Sequence, residues 1–502
     1  MLQALTLPSG SGRRATPQDT RAAWWDMSLV RWDGDQLVPL GGWVRLAGLQ
    51  LDAEPRALLA WRDNERVRWL AAASLSQIQV WDGAAGSVLS PVDFVPGGSA
   101  SLFDGYGIGD YGEEPYGVHR AQEAPQFRAV PPDSVSLDTW GEDLMALGSA
   151  DGRLLRWSPQ IPVTTLLTPV PNAPLGRVFA VTEERHVVIV GADGDPRRVS
   201  WCSQELPEDW TPTTTNTAGS LQLRSTGIGI AIRRVGQGLL LWTDDDLHLM
   251  RYVGTPYVYG IERVGTGCGP AGPEAMVALT GRAVWWGEHG FWLYDGALRP
   301  LDCPLTEFLS SDVNKSLRGK IYGWHNGLYP EVTWGYCAAS SGSNTPDRYV
   351  TWCYATNKWW HGQLARSIGV EPGAFGLPLL GHASGIIYQH ETGHLADGQP
   401  RGAAVYCETG DMQLGEADAG IFLSRIIPDL RRPDLVQFRL TGQWFPGDLS
   451  EDLGTFTTDE RTDGIIDACV ETRALRLRIE GRTDGPWALG RVRLDLTPGA
   501  GR

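Results

Sequence analysis

Val187-Val-Ile-Val190, the turn Asp193-Gly-Asp195 and Arg198-Val-Ser-Trp201 together decide the fold. An apolar run of β-branched residues, a Gly/Asp bend and a second run ending in Trp is a strand-turn-strand unit. The unit has kin on both sides. Before it stands Leu154-Leu-Arg-Trp157; after it come Leu239-Leu-Leu-Trp242, turning at Asp244 to Asp246 into Leu247, and Ala283-Val-Trp-Trp286, turning at Glu288-His-Gly290 into Phe291-Trp-Leu-Tyr294. Trp157, Trp201, Trp242 and Trp286 follow one another at intervals of 44, 41 and 44 residues. Short hairpins recurring at such an interval are the signature of β-propeller blades. A small antiparallel sheet cannot bury both faces alone, so blades stack around an axis and large rings fill the gaps between them. The tryptophans are therefore expected in blade cores rather than as ligand platforms.

Working outward, Ala57-Leu-Leu-Ala-Trp61, Val67-Arg-Trp-Leu70 and Ile78-Gln-Val-Trp81 supply a first blade, and Glu331 to Tyr336 with Arg348 to Tyr354 a late one. The last unit is Gly385 to Glu391. The reading is all-β: a propeller of roughly six to eight blades over residues 41–402, followed by a β-sandwich-like platform at 403–502. That platform is expected because its alternating strands, among them Leu475-Arg-Leu-Arg-Ile479, lack the blade pulse. Residues 1–40 read as an N-terminal arm able to join the platform. Leu305, Leu309, Val313 and Leu317 stand at helical spacing, so a short helix over 305–317 is expected, with Thr306 as its cap. Phe103 to Gly117 interleaves Gly and Tyr with no period; it reads as a long loop, and Tyr106, Tyr111 and Tyr116 are its candidate contact residues.

Composition bounds the function. The chain has 502 residues, 62 Gly, 33 Pro and 22 Trp, and a net charge of −16. Its excess acid lies in residues 46–419, which hold 42 acidic and 26 basic side chains. A protein that grips duplex DNA gathers Lys and Arg against phosphates, so tight nucleic-acid binding is not expected. No apolar run is long enough for a membrane span, and no leader pattern opens the chain. The seven Cys include no Cys-x-x-Cys pair and read as small core residues without disulfides.

Enzyme motifs were weighed against the local pattern. His390-Glu-Thr-Gly-His394 fits His-Glu-x-x-His by letter, but zincin chemistry needs it on a helix, and here it follows strand residues and holds a Gly. Asp193-Gly-Asp195 and Asp244 to Asp246 do not match a calcium loop and read as solvated blade turns. Glu142, Asp143, Glu183 and Glu184 are carboxylates with no spacing that fixes a pair. The expectation is no catalytic residue, no metal and no cofactor.

The order of several motifs resembles virion structural proteins of short-tailed bacteriophages, the tail nozzle or tail tubular protein B-like (packaged-DNA stabilisation) group. The motifs are Ser134-Val-Ser-Leu-Asp-Thr-Trp-Gly-Glu-Asp-Leu-Met145, Ser149-Ala-Asp-Gly-Arg-Leu-Leu-Arg-Trp157, Arg198-Val-Ser-Trp-Cys-Ser-Gln204 with Glu208-Asp-Trp-Thr-Pro212 and Asn216-Thr-Ala-Gly219, Leu241-Trp-Thr243, Met250-Arg-Tyr-Val-Gly-Thr-Pro256 and Phe291-Trp-Leu-Tyr-Asp-Gly296. The Gly/Tyr loop is similar to theirs too. The resemblance implies a homo-oligomeric ring, typically a hexamer, in the virion tail, assembled in the host cytoplasm. It implies a tail adaptor above, fibre or tip proteins as partners, and genomic DNA passing through the channel without specific binding. Its chain ends would contribute to the platform. The alternative from another class is a carbohydrate-binding or glycan-cleaving propeller with Trp faces in its axial pocket.

Overall fold

The computed structural model describes residues 2–5, 10–12, 24–99, 101–103, 128–130, 132–236, 238–413, 420–445, 448–458 and 464–499. Among these, seven four-stranded antiparallel sheets form the blades of a propeller. Their innermost strands are Ala57–Arg62, Val135–Trp140, Val178–Val181, Gly229–Val235, Met276–Leu279, Tyr322–Asn326 and Ile368–Val370. Each packs against the next, and the seventh against the first, so the ring closes.

Blade three shows how the sequence makes this. Val187–Val190 is buried along its whole length because neighbouring blades cover both of its faces, which suits an unbroken run of β-branched residues. Asp193 (φ 54°) and Gly194 (φ 79°) lie in the left-handed region that the turn requires, residue types that tolerate it. The chain then returns as Arg198–Trp201, paired with Val188 to Val190.

The four marker tryptophans are all buried. Their register differs from the simple repeat, however. Trp157 and Trp201 end third strands, whereas Trp286 ends a second strand and Trp242 stands one residue before the end of one, beside the turn. A ring at either end of a blade fills the space toward a neighbour, so burial selects the residue type without fixing its strand.

Blade seven takes its outermost strand, Trp43–Gln50, from the other end of the propeller, where it pairs with Ile386–His390. The first and last blade segments are thereby held in one hydrogen-bonded sheet.

Apart from Ser101–Phe103, which pairs with Arg128–Val130 as a two-stranded ribbon, the remaining strands form two six-stranded sheets. One runs Val30–Asp33, Gln36–Pro39, Ala488–Pro498, Ile421–Arg431, Ile466–Thr472, with Leu2–Leu5 also on Ala488–Pro498. The other runs Trp24–Ser28, Tyr406–Thr409, Ala474–Gly481, Val436–Gln443, Glu451–Thr457, with Met412–Gln413 also on Ala474–Gly481. Strands from both chain ends thus share these sheets. Their inner side chains, among them Trp32, Leu37, Leu423 and Leu494 from the first and Phe438, Leu475, Leu477 and Ile479 from the second, form one apolar cluster that also takes Tyr349 and Trp360 of blade six. On the opposite side of the Leu475 to Ile479 alternation, Arg476 pairs with Asp411 and Glu408, and Arg478 with Glu408 and Glu480.

Two expectations are corrected. The helix over 305–317 is split: an α-helix spans Thr306–Asp312 and a 3-10 helix Lys315–Lys320. Val313 is extended at the break, and Asn314 restarts the chain by accepting from Ser316 N at 3.1 Å. Leu305, Leu309 and Val313 are buried as the spacing requires, while Leu317 sits on the second helix. Thr306 is not the cap; Leu305 holds that position and the Thr306 hydroxyl donates back to Cys303 O at 2.8 Å. Six cysteines are buried, but Cys469 is exposed.

Candidate functional site at the propeller axis

The seven innermost strands surround an axial channel of about 300 Å³. Its wall is belted by charges in pairs. Arg233 of blade four meets Glu274, at the entry to blade five, at 2.6 Å. Arg234 meets Asp138 at 3.0 Å, and the other Asp138 oxygen accepts from Val181 N at 2.9 Å, so one carboxylate ties the inner strands of blades two, three and four. Burial pushes the Asp138 and Glu274 carboxyls above their usual range, against the pull of Arg234 and Arg233 respectively. Across the channel, His325 Nδ1 lies 3.1 Å from Glu371 and its Nε2 3.2 Å from the Tyr354 hydroxyl. The bond from His325 holds Glu371 below the usual carboxylate range. The His325 ring thus bridges Glu371 and the Tyr354 hydroxyl.

Above the channel, on the face carrying the turns between second and third strands, lies a cavity of about 730 Å³. Trp286, Phe291 and Leu309 line it together with Arg177, Lys315 and Arg318. The helix pair at 306–320 forms one side. Arg318 is held by Gly287 O at 2.7 Å.

None of the axial charges was singled out from sequence. The available signal is Ile232-Arg233-Arg234-Val235, two adjacent cations inside a strand otherwise apolar, which is not the pattern of an ordinary blade-core strand.

The residues that were singled out fall elsewhere. Tyr106, Tyr111 and Tyr116 lie outside the described residues. His390 ends a strand and the residues after it form turns, so His390 and His394 do not share a helical face. Arg366 donates to His390 Nε2 at 2.9 Å and Trp43 stacks on the ring at 5.2 Å; burial pushes the imidazole well below its usual range. Glu391 faces Arg31 rather than a water site. Asp143 pairs with Arg156. Asp193, Asp244 and Asp245 are exposed as turn residues should be, but Asp246 is buried, contrary to its reading as solvated. Among the described residues no group of three His, Cys, Asp or Glu could hold a metal ion, and no helix is long and apolar enough to cross a membrane. No Trp borders the axial channel, and of the tryptophans Trp286 alone reaches the cavity above it.

Fold and site together define a seven-bladed, all-β propeller with a charge-paired axis. No family model and no curated protein matches the chain. Solved structures similar to it include YCF48 bound to D1 peptide (9% identity, 72% of this chain and 97% of that one, TM-score 0.42) and the Neurospora crassa Pan2 WD40 domain (6%, 71% and 95%, 0.40). A catalytically inactive virginiamycin B lyase from Staphylococcus aureus with quinupristin is also similar (7%, 69% and 97%, 0.39).

Proposed function

We propose that the chain is a virion structural protein, a subunit of the tail nozzle ring of a short-tailed phage, which extends the DNA exit channel, helps retain packaged DNA and docks fibre or tip proteins. The observation that carries the reading is the shared platform: strands from residues 2–39 and from residues 406–498 pair in the same two sheets beside the propeller, the arrangement the motif resemblance implies for the chain ends. The acid excess of residues 46–419 adds to it, since a wall that repels phosphates leaves DNA no sticky site during ejection. Catalysis has no part in this proposal. The test is quantitative mass spectrometry of gradient-purified virions, calibrated for copies per particle. A small fixed number matching a tail ring is expected; absence from the particle discards the reading.

A further inference from the structure

The cavity of about 730 Å³ above the axis has walls that the chain itself holds in place. Part of the wall is the loop from Gly269 to Pro273, pinned by Gly269 N to Asp245 O at 3.0 Å and by Ala271 N to Trp286 O at 2.8 Å. Another part is the helix pair Thr306–Asp312 and Lys315–Lys320, tied to blade six where Asn314 N bonds Cys337 O at 2.9 Å and Arg348 pairs with Asp312 at 2.9 Å. The lining is more apolar than polar, with Ile230, Trp286, Phe291, Leu309 and Val313 among its residues.

Into this lining comes Arg318, and its charge is poorly matched. At the propeller axis Arg233 and Arg234 each have a carboxylate within about 3 Å. Arg318 Nη2 donates to Gly287 O at 2.7 Å, but the carboxylate facing it, Glu288, is 3.7 Å away on a side chain 73% exposed. The Arg318 side chain is itself only 25% exposed. Its Nε and Nη1 donate to no acceptor among the described residues, and neither atom is sealed from the cavity. Burial pushes the guanidinium below its usual range, and Glu288 opposes this only in part. A half-covered cation with a remote counter-charge is stabilised by any anion that can reach it. The rest of the lining favours the same sign. Arg177 and Lys315 join Arg318 against Asp244 and Glu288, and Asp244 Oδ1 already accepts from Ile228 N at 2.8 Å. Cations thus outnumber carboxylates here, inside a segment with 42 acids to 26 bases.

We propose that this cavity binds an apolar carboxylate, a carboxylate group on an aromatic or branched hydrocarbon body, supplied by a free organic acid or by the C-terminal residue of a peptide. The carboxylate accepts from the free N–H groups of Arg318, and the body displaces water from the apolar lining. Both halves are needed. A small anion without a body remains better solvated outside, and a body without the anion leaves Arg318 as it was. The site stands independently of the tail-ring reading.

The experiment is isothermal titration of the full chain at pH 7.5 with 4-phenylbutyrate, 4-phenylbutan-1-ol, acetate and N-acetyl-Gly-Phe in turn. Saturable binding of 4-phenylbutyrate at one site is expected. The alcohol, which keeps the body and lacks the charge, is expected to bind at least about tenfold more weakly, the loss of one charge-assisted hydrogen bond. Acetate, which keeps the charge and lacks the body, is expected to be weaker by at least about tenfold as well. Tighter binding of N-acetyl-Gly-Phe than of 4-phenylbutyrate identifies a chain terminus as the ligand; the reverse identifies a free acid. Arg318→Gln is expected to lose at least about tenfold for the acid and leave the alcohol unchanged, a split that general unfolding does not produce. Ser310 is exposed and lines the cavity, so Ser310→Trp fills the space without removing a buried contact and is expected to weaken acid and alcohol together. Absence of saturable 4-phenylbutyrate binding, or a Ser310→Trp protein that binds it as the parent does, overturns the site. Equal affinity of the parent for acid and alcohol, or an Arg318→Gln protein that binds the acid as the parent does, overturns the role of Arg318.

Discussion

The contacts between blades and the contact between the propeller and the N-terminal strands of the two six-stranded sheets are built from opposite materials. Between blades five and six the interface is rings: Phe291 of blade five leans on Trp334 and Trp359 of blade six, which stack on each other at 6.1 Å, and the Trp334 indole donates across to Ala275 O at 2.9 Å. Between blade six and the N-terminal arm the apolar cluster continues through Tyr349 and Trp360, but charge is set into it. Arg31 is held between Glu331 of blade six, at 3.0 Å, and Glu391 beyond blade seven, with the Tyr329 ring 3.7 Å away. Apolar stacking is indifferent to pH and tolerates almost any partner of the right volume, whereas a buried ion cluster specifies which groups must meet and in which protonation state. A ring of similar blades can rest on the first; a joint between unlike parts has reason to use the second.

Breaking the first kind should cost most. Trp334→Ala removes a fully buried ring and leaves its hole in the blade interface, and is expected to lose about 3 to 5 kcal/mol in denaturant unfolding. If the loss is under about 1 kcal/mol, the blades do not depend on this stacking as described.

Breaking the second kind comes next. Arg31→Met leaves Glu331 and Glu391 facing each other in a buried site, with an expected loss of about 3 kcal/mol at pH 8, smaller at pH 5 where one carboxyl can hold a proton. The pH dependence has a definite sign. Burial, opposed by Arg31 and reinforced by Glu391, pushes Glu331 up to about 7 from an unfolded value of 4.5. Its contribution is fully present below 4.5, falls as pH rises because the unfolded chain ionises first, and levels off above about 7. Glu331→Gln is therefore expected to flatten the stability profile over that window, gaining about 2 to 3 kcal/mol on the parent between pH 4 and pH 8. Parallel profiles for the two proteins would show that Glu331 titrates as an ordinary surface carboxylate.

The contrast also explains what the sequence made legible. Blades are local: strand, Gly/Asp turn and strand lie within some tens of residues, so period two and a recurring Trp declare them, and the seven observed fall in the expected six to eight. Even there the signal identifies burial and leaves position open, as the change of strand between Trp201 and Trp242 shows. The joint is distant: Arg31 and Glu331 each sit where one polar residue beside apolar ones looks like an outward-facing side chain, and Glu391 stands in a polar turn, Gln389-His-Glu-Thr392. Nothing in a local window says that a residue some 300 positions away will cover it. Asp246 reads as solvated for a similar reason, since Asp244-Asp-Asp246 has the composition of an exposed turn and only the third residue folds under. The helix departs from its spacing for another reason. Leu305 to Leu317 keeps the apolar spacing, but Asn314 can cap a new turn in mid-run, and Asn314 N bonds Cys337 O at 2.9 Å, a strand partner that the spacing does not contain.

The smallest effects sharpen the comparison within the joint itself, where two aspartates of the N-terminal arm meet the same blade-six strand, Lys358–Gln363. Asp26 is partly covered; it stands 3.1 Å from His361 Nε2 and accepts from the Tyr406 hydroxyl at 3.0 Å, joining blade six to the strand Tyr406–Thr409 through one carboxylate. Asp35 stands 3.3 Å from Lys358 with its side chain 99% exposed. Distance alone would rank them alike. Solvent screens the second pair and leaves the first in place, so Asp26→Asn is expected to lose about 1 kcal/mol and Asp35→Asn to leave the melting temperature unchanged. A measurable drop for Asp35→Asn would mean that the arm is held by surface charge as much as by its buried groups, and the division between an apolar ring and a specified, interior joint would then have to be redrawn around the arm's exposed edge.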